Sequence, residues 1–125
     1  MKTTLEKAIT AAQVIARLNG ARMKSTATAR KLFTLKKLLE PNFEFYAEEE
    51  RKIVEDLGGV IKEDGAIIFP DQAEGVRKLN EARRELLATE CEIPIDTPII
   101  FHDSEGIQLS GDDIAALDGL ADFKE

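Results

Sequence analysis

The sequence predicts an α+β fold, mostly helical. It comprises a long kinked central helix, a β-hairpin plus one edge strand forming a small antiparallel sheet, and two further helices. Three observations carry that expectation. Apolar residues step by three or four over residues 5–18 and, with one polar exception, over 32–57, and others share one helical face over 76–87, the pattern of helices buried on one side. "VIKEDGAIIF" sets two short apolar runs around an Asp-Gly pair, a hairpin signal. "ECEIPIDTPIIFHD" alternates apolar and polar residues, the period of a half-buried strand. The 125 residues suffice for one domain with its own core. Within it, residues 1–27 read as an N-terminal helix and basic loop, and 28–125 as a helix–hairpin–helix–strand–helix core.

The first helix is expected over Thr3–Asn19. Thr3 and Glu6 have capping-box spacing, and Leu5, Ala8, Ile9, Ala12, Ile15 and Leu18 form the apolar stripe. Asn19-Gly20 offers a left-handed stop. Ser25, Thr26 or Thr28 is placed to cap the second helix. There Leu32, Leu35, Leu39, Phe43, Tyr46, Ile53 and Leu57 keep one phase across Pro41, with Glu50 the polar exception. A proline inside a helix removes a backbone hydrogen bond and crowds the preceding turn, costing about 3 kcal/mol. In a first turn it is welcome. Two readings are open: one helix from about Thr28 to Leu57, kinked at Pro41 and ended by Gly58-Gly59, or a break at Glu40. The unbroken phase favours the kinked helix. At about 30 residues such a helix is roughly 45 Å long, and its uncovered part calls for a partner.

Asp64-Gly65 suits a two-residue type I′ turn between Val60–Lys62 and Ile67–Phe69. Asp71 and Glu74 have the spacing of a second capping box, opening a helix to about Thr89 that carries Val76, Leu79, Leu86 and Leu87. Gly75 weakens its first turn. In the alternating segment Cys91, Ile93, Ile95, Ile99 and Phe101 share one side. Pro94 and Pro98 remove donors from one edge, so the strand belongs at a sheet edge, beside the hairpin. Ser110 and Asp113 open a short last helix with Ile114, Leu117 and Leu120, after which Phe123 packs back on the core.

Chemistry is sparse. His102 is the single histidine and Cys91 the single cysteine, so no nucleophile–base pair and no cysteine-rich metal site emerges, and no disulfide forms within the chain. The Glu48–Glu50 and Asp112-Asp113 clusters fan outward rather than converge as metal sites require. No phosphate-loop or dinucleotide fingerprint is present. We expect no enzyme, no cofactor and no catalytic or metal-binding residue. The net charge of −7 is unevenly spread. Residues 1–40 hold nine Lys/Arg and two acids, while 41–125 hold eight Lys/Arg and 22 acids. That acidic majority disfavours duplex DNA, and no apolar run approaches the roughly 18 residues that cross a bilayer. One cysteine and a charged N-terminus fit a reducing cytoplasm. The asymmetry has two readings. Opposite charges attract within the chain or between subunits, or Arg17, Arg22, Lys24, Thr28 and Arg30 form a site for a small anionic nucleotide. For self-association, the candidate interface residues are Leu39, Phe43, Tyr46 and Ile53, near the middle of the long stripe.

The order of elements resembles a family of small bacteriophage and prophage proteins of uncharacterised function. The resemblance runs through "ARKLFTLKKLLEPNFEFYAEEERKIVEDLGG", "IKEDGAIIFPD", "RRELLATECEIPI" and "LSGDDIAALDGLADF", covering roughly residues 28–123. It implies a phage-encoded protein in the cytoplasm of a host bacterium and supplies no site residue. Two functions are therefore expected to compete. One is a non-enzymatic interaction protein acting as an oligomer, most simply a homodimer, in virion assembly or on a phage or host protein. The other is a protein that sequesters a phosphorylated nucleotide signal of anti-phage immunity. The two helix readings separate experimentally. Pro41→Ala restores a backbone donor, so in a continuous helix the thermal midpoint stays unchanged or rises. A clearly lowered midpoint would mean that Pro41 starts a helix.

Overall fold

The computed structural model describes residues 1–20, 25–102 and 105–125. The chain opens with a short strand, Lys2–Thr4 (β1), that runs directly into Leu5–Asn19 (α1). The Thr3/Glu6 capping box does not form. Thr4 is the N-cap, its hydroxyl accepting from the Lys7 amide at 3.3 Å. Thr3 instead sits in β1 opposite Cys91, so strand pairing claims the residue that capping would have used. Gly20 closes α1 at φ −73°, in the right-handed rather than the left-handed region.

Thr26–Asp56 (α2) is one helix of 31 residues with Pro41 inside it. The single-helix reading therefore holds. Thr28, Leu32, Leu35 and Leu39 are buried on one face. At 3.6 residues per turn Pro41 falls on roughly the opposite face, where it is exposed. Its ring and missing donor thus face solvent, where water can serve the freed carbonyl. Ser25 is the N-cap residue but its side chain caps nothing.

The hairpin joins Val60–Ile61 (β2) to Ile67–Ile68 (β3), with Val60 opposite Ile68 and Ile61 opposite Ile67. Its turn is not type I′, because Asp64 has negative φ and Gly65 alone is left-handed, at φ +87°. The Gly65 amide donates to the Lys62 carbonyl at 2.9 Å, and Lys62 N–H to the Ala66 carbonyl at 2.8 Å. This is the three-residue loop with glycine in the bulge position, steadied by Asp64 Oδ1 accepting from the Ala66 amide at 3.0 Å.

Gln72–Leu87 (α3) is capped by Asp71, which accepts from the Glu74 amide at 3.3 Å. The Glu74 side chain pairs with Arg77 rather than reaching back to the cap. The alternating segment is not one strand. Glu90–Glu92 (β4) pairs antiparallel with β1, and Ile99–His102 (β5) pairs in parallel with Ala121–Lys124 (β6). None of these joins the hairpin, so the expected three-stranded sheet is replaced by three two-stranded ones, one of them parallel. The reason lies at the first proline, Pro94. Ile95 N–H turns back to the Ile93 carbonyl at 2.7 Å, a three-residue bend that ends the first half. Each half then finds its partner at one end of the chain. The α+β, mostly helical class stands. Ser110 and Asp113 make both halves of the capping box that opens Gly111–Ala116 (α4), and Phe123 stacks on Phe101 with centroids 5.6 Å apart.

Two apolar clusters hang on α2. The larger gathers Ile15, Leu32, Leu35, Leu39, Ile93, Phe101, Leu117 and Leu120. The smaller gathers Val54, Phe69 and Leu79, with Ile53, Leu57 and Ile67 against it. Phe69 is gripped between two glycines: a Cβ at Gly75 would lie 2.2 Å from its ring, and one at Gly59 2.7 Å. Gly75 is therefore a packing requirement. Its helix-propensity cost relative to Ala is about 1 kcal/mol, smaller than the roughly 1–3 kcal/mol of overpacking. Gly75→Ala is accordingly expected to lower the urea midpoint. A raised midpoint would mean that propensity outweighs the contact with Phe69.

Candidate functional site

The basic segment is the first candidate, and the structure shows what its groups hold. Thr28 is fully buried on α2, and its hydroxyl donates to Glu105 Oε1 at 2.6 Å. Lys31, one turn further along the helix, donates to both Glu105 oxygens at 2.9 and 3.1 Å. The His102 amide donates to Oε2 at 2.6 Å. Lys31 also lies over the Phe101 ring, 5.3 Å from its centroid. Arg17, near the end of α1, pairs with Asp113 at 2.5 Å, and Lys7 with Asp118 at 3.9 Å. Arg17 and Thr28, read as groups for an external phosphate, are thus engaged by carboxylates from the acidic half of the same chain. Arg30 is exposed. Arg22 and Lys24 lie outside the described residues, as does Asp103 beside the exposed His102.

The electrostatics follow from that geometry. Burial, the largest single influence on Glu105, raises its pKa. The Thr28 hydroxyl, the His102 amide and Lys31 together outweigh it and hold the carboxyl at about 2, against an ordinary 4.5. Asp113 is lowered first by its hydrogen bond from Arg17, then by the Ser110 amide. Burial raises the Cys91 thiol, which keeps it from being a reactive thiolate. Among the described residues no group of three or more His, Cys, Asp or Glu could hold a metal ion. Among the described residues no helix is long and apolar enough to cross a membrane.

The second candidate is the outer surface of α2. Of the four candidate interface residues, Leu39 is core, 1 % exposed. Tyr46 is half-buried, its hydroxyl donating to Glu50 Oε2 at 3.0 Å. Arg83 of α3 donates to the same oxygen at 2.9 Å, tying the two helices together. Ile53 packs half-buried against the smaller cluster. Phe43 alone points outward, 44 % exposed. It borders a groove of about 170 Å³ between α1 and α2, lined by Ala12, Ala16, Lys36, Leu39 and Glu40. The walls are apolar because the two alanines are small and the charged residues contribute their aliphatic stems. Phe33, on the same side of α2 as Phe43, and Phe45, on another, are also exposed; neither is in phase with the apolar stripe of the core, which is why that stripe does not include them.

Comparison with family models, curated proteins and solved structures gave no match. What the site does therefore rests on its own chemistry. Glu105 gives a direct check. A carboxylate whose folded pKa is depressed contributes stability above its ordinary value and loses that contribution as pH falls from about 4.5 toward 2. Glu105→Gln strips charge from a site with three donors, and is expected to cost roughly 2 kcal/mol at neutral pH. The difference from the unsubstituted chain should shrink as pH drops through that window. A difference constant from pH 7 to 3 in denaturant titrations would show that the charge of Glu105 is not what holds the segment.

Proposed function

We propose that the chain is a non-enzymatic interaction protein that works as a homo-oligomer, with α2 as the contact element. The observation that carries this reading is the exposure of aromatic residues along α2. Phe33, Phe43 and Phe45 are 55, 44 and 51 % exposed, and they are three of the chain's six phenylalanines. Phe33 and Phe43 share one side of α2, and exposed apolar surface gathered on one side of a helix marks a contact surface. The hairpin adds Val60, Ile61 and Ile68, all exposed, on a ribbon whose two strands pair only with each other. The resemblance of residues 28–123 to small phage and prophage proteins implies that such an activity would act in an infected bacterial cytoplasm, in virion assembly or in binding a host protein.

The alternative, capture of a phosphorylated nucleotide by the basic segment, is less well supported. Arg17 and Thr28 would first have to be released from Asp113 and Glu105, at the cost of leaving those carboxylates without their donors. Light scattering at micromolar concentration tests the main reading. A mass of twice 13.8 kDa or more is expected, and a monomer mass overturns it.

A further inference from the structure

We propose that two copies of this chain pair through α2 in an antiparallel, two-fold symmetric arrangement centred at the level of Leu38. The proposal deepens the oligomer reading above by naming the surface, the direction and the register. Its basis is a series on one face of α2: Ala29, Phe33, Lys36, Glu40, Phe43 and Ala47. The spacings alternate four and three, the seam of a two-helix coiled coil. Glu40 is half-buried and the other five are exposed. At 3.6 residues per turn this face lies about a quarter turn from the buried Leu32, Leu35 and Leu39, so it remains open once the core has formed.

The series reads alike in both directions: small, aromatic, charged, oppositely charged, aromatic, small. Each member has its counterpart equally far on the other side of Leu38. Antiparallel alignment therefore sets Ala29 against Ala47, Phe33 against Phe43 and Lys36 against Glu40, each twice by symmetry, as an isologous interface requires. Parallel alignment would set Lys36 against Lys36 and Glu40 against Glu40, and like charges exclude it. On the flank, offset by two residues from the seam pairs, the exposed Arg30 comes beside the exposed Glu44, and Lys37, which already faces Glu40 of its own chain, comes beside its counterpart.

Two local features fit the same partner. Glu40 Oε2 is a buried atom with no hydrogen-bond donor. Lys37 Nζ at 3.5 Å supplies charge but not a hydrogen bond, and because the Glu40 side chain is 38 % exposed overall, a rotation of its carboxylate toward the seam would let Lys36 of the partner subunit donate to it. The groove beside Phe43 is floored by Ala12 and Ala16 of α1. In this register it is where Phe33 of the partner subunit arrives, and the small alanines leave room for the ring.

A charge exchange that preserves each helix tests the direction. The doubly substituted chain Lys36→Glu/Glu40→Lys keeps an oppositely charged pair four residues apart within α2. In the antiparallel dimer it pairs with itself, but mixed with the unsubstituted chain it meets like charges at the seam. Each chain is expected to self-associate, with the mixed dimer at least about tenfold weaker by sedimentation equilibrium. A mixed dimer as tight as, or tighter than, the two homodimers overturns the antiparallel seam.

Cross-linking tests the register. In a Cys91→Ser background, Phe33→Cys and Phe43→Cys chains mixed together are expected to form a disulfide-linked dimer. Neither should do so alone, since like positions stand ten residues apart, about 15 Å, beyond the reach of a disulfide. Linkage by either variant alone, or none in the mixture while scattering still reads a dimer, overturns the register and leaves the oligomer reading standing. A monomer mass at every concentration overturns both.

Discussion

One helix runs past the core that covers it, and the rest of the structure depends on that fact. α2 spans 31 residues, about 46 Å. Its first half is covered by α1 and the larger cluster, and its last turns are covered by the hairpin and α3. Leu32, Leu35 and Leu39, each 1 % exposed or less, contribute roughly 1.5–3 kcal/mol apiece by burial. Those residues anchor α2 before Pro41, and the buried Val54, with Ile53 and Leu57 beside it, anchors it after, so both flanks of the helix are held against the roughly 3 kcal/mol that an interior proline costs. The smaller cluster has only three buried side chains, Val54, Phe69 and Leu79. It is held because Gly59 and Gly75 let the Phe69 ring approach the backbone, so tightness of fit substitutes for size.

Charge distribution does the second part of the work. The basic first third and the acidic remainder are joined where they are least hydrated. Glu105 has an 11 % exposed side chain and Asp113 a 10 % exposed one, and both receive donors from α1 or α2. The exposed pairs of Arg51 with Glu48 and Glu55, and of Arg77 with Glu74 and Glu81, lie along single helices. Solvent screens them, and they add little. The consequential contacts are the long-range ones, because they fix the segment from 105 to the C-terminus against the helices. They also carry β6 alongside β5 in parallel, with Phe123 over Phe101 and Lys31 on the other contact of that ring.

What could be read from the sequence was whatever repeats locally. The phase of α2, the cap at Asp71 and the Ser110/Asp113 capping box were all legible, because each is decided within a few residues. What could not be read was decided by distant partners. "ECE" and "IIFH" alternate as one strand would, yet β4 is claimed by residues 2–4 and β5 by residues 121–124. The same pairing took Thr3 out of its capping box. Gly75 reads as a weak point until the Phe69 ring is placed against it. Glu105 carried no signal beyond being one acid among many. The charge asymmetry did point to attraction within the chain, but it does not say which carboxylate lies beneath which helix. The candidate interface was legible in part. Phe43 faces outward, whereas Leu39 belongs to the core, because a stripe read only by phase does not say where its cover ends.

The core face of α2 and the face proposed as a seam are about a quarter turn apart, so the residues that close the core are not those that would meet a second copy. Leu32, Leu35 and Leu39 hold α1 and the larger cluster in place, while Ala29, Phe33, Lys36, Phe43 and Ala47 make no part of either buried cluster. Exposed alanines are ordinary on a helix, whereas the two exposed phenylalanines on this side contribute nothing to either buried cluster. Symmetric about a pair of opposite charges, those two rings are costly in water and complementary to one another. Pro41 lies on yet another face, away from both. The ring of the single residue that interrupts the backbone ladder therefore meets neither the core nor the proposed seam, while any bend it introduces falls between Glu40 and Phe43, inside that seam.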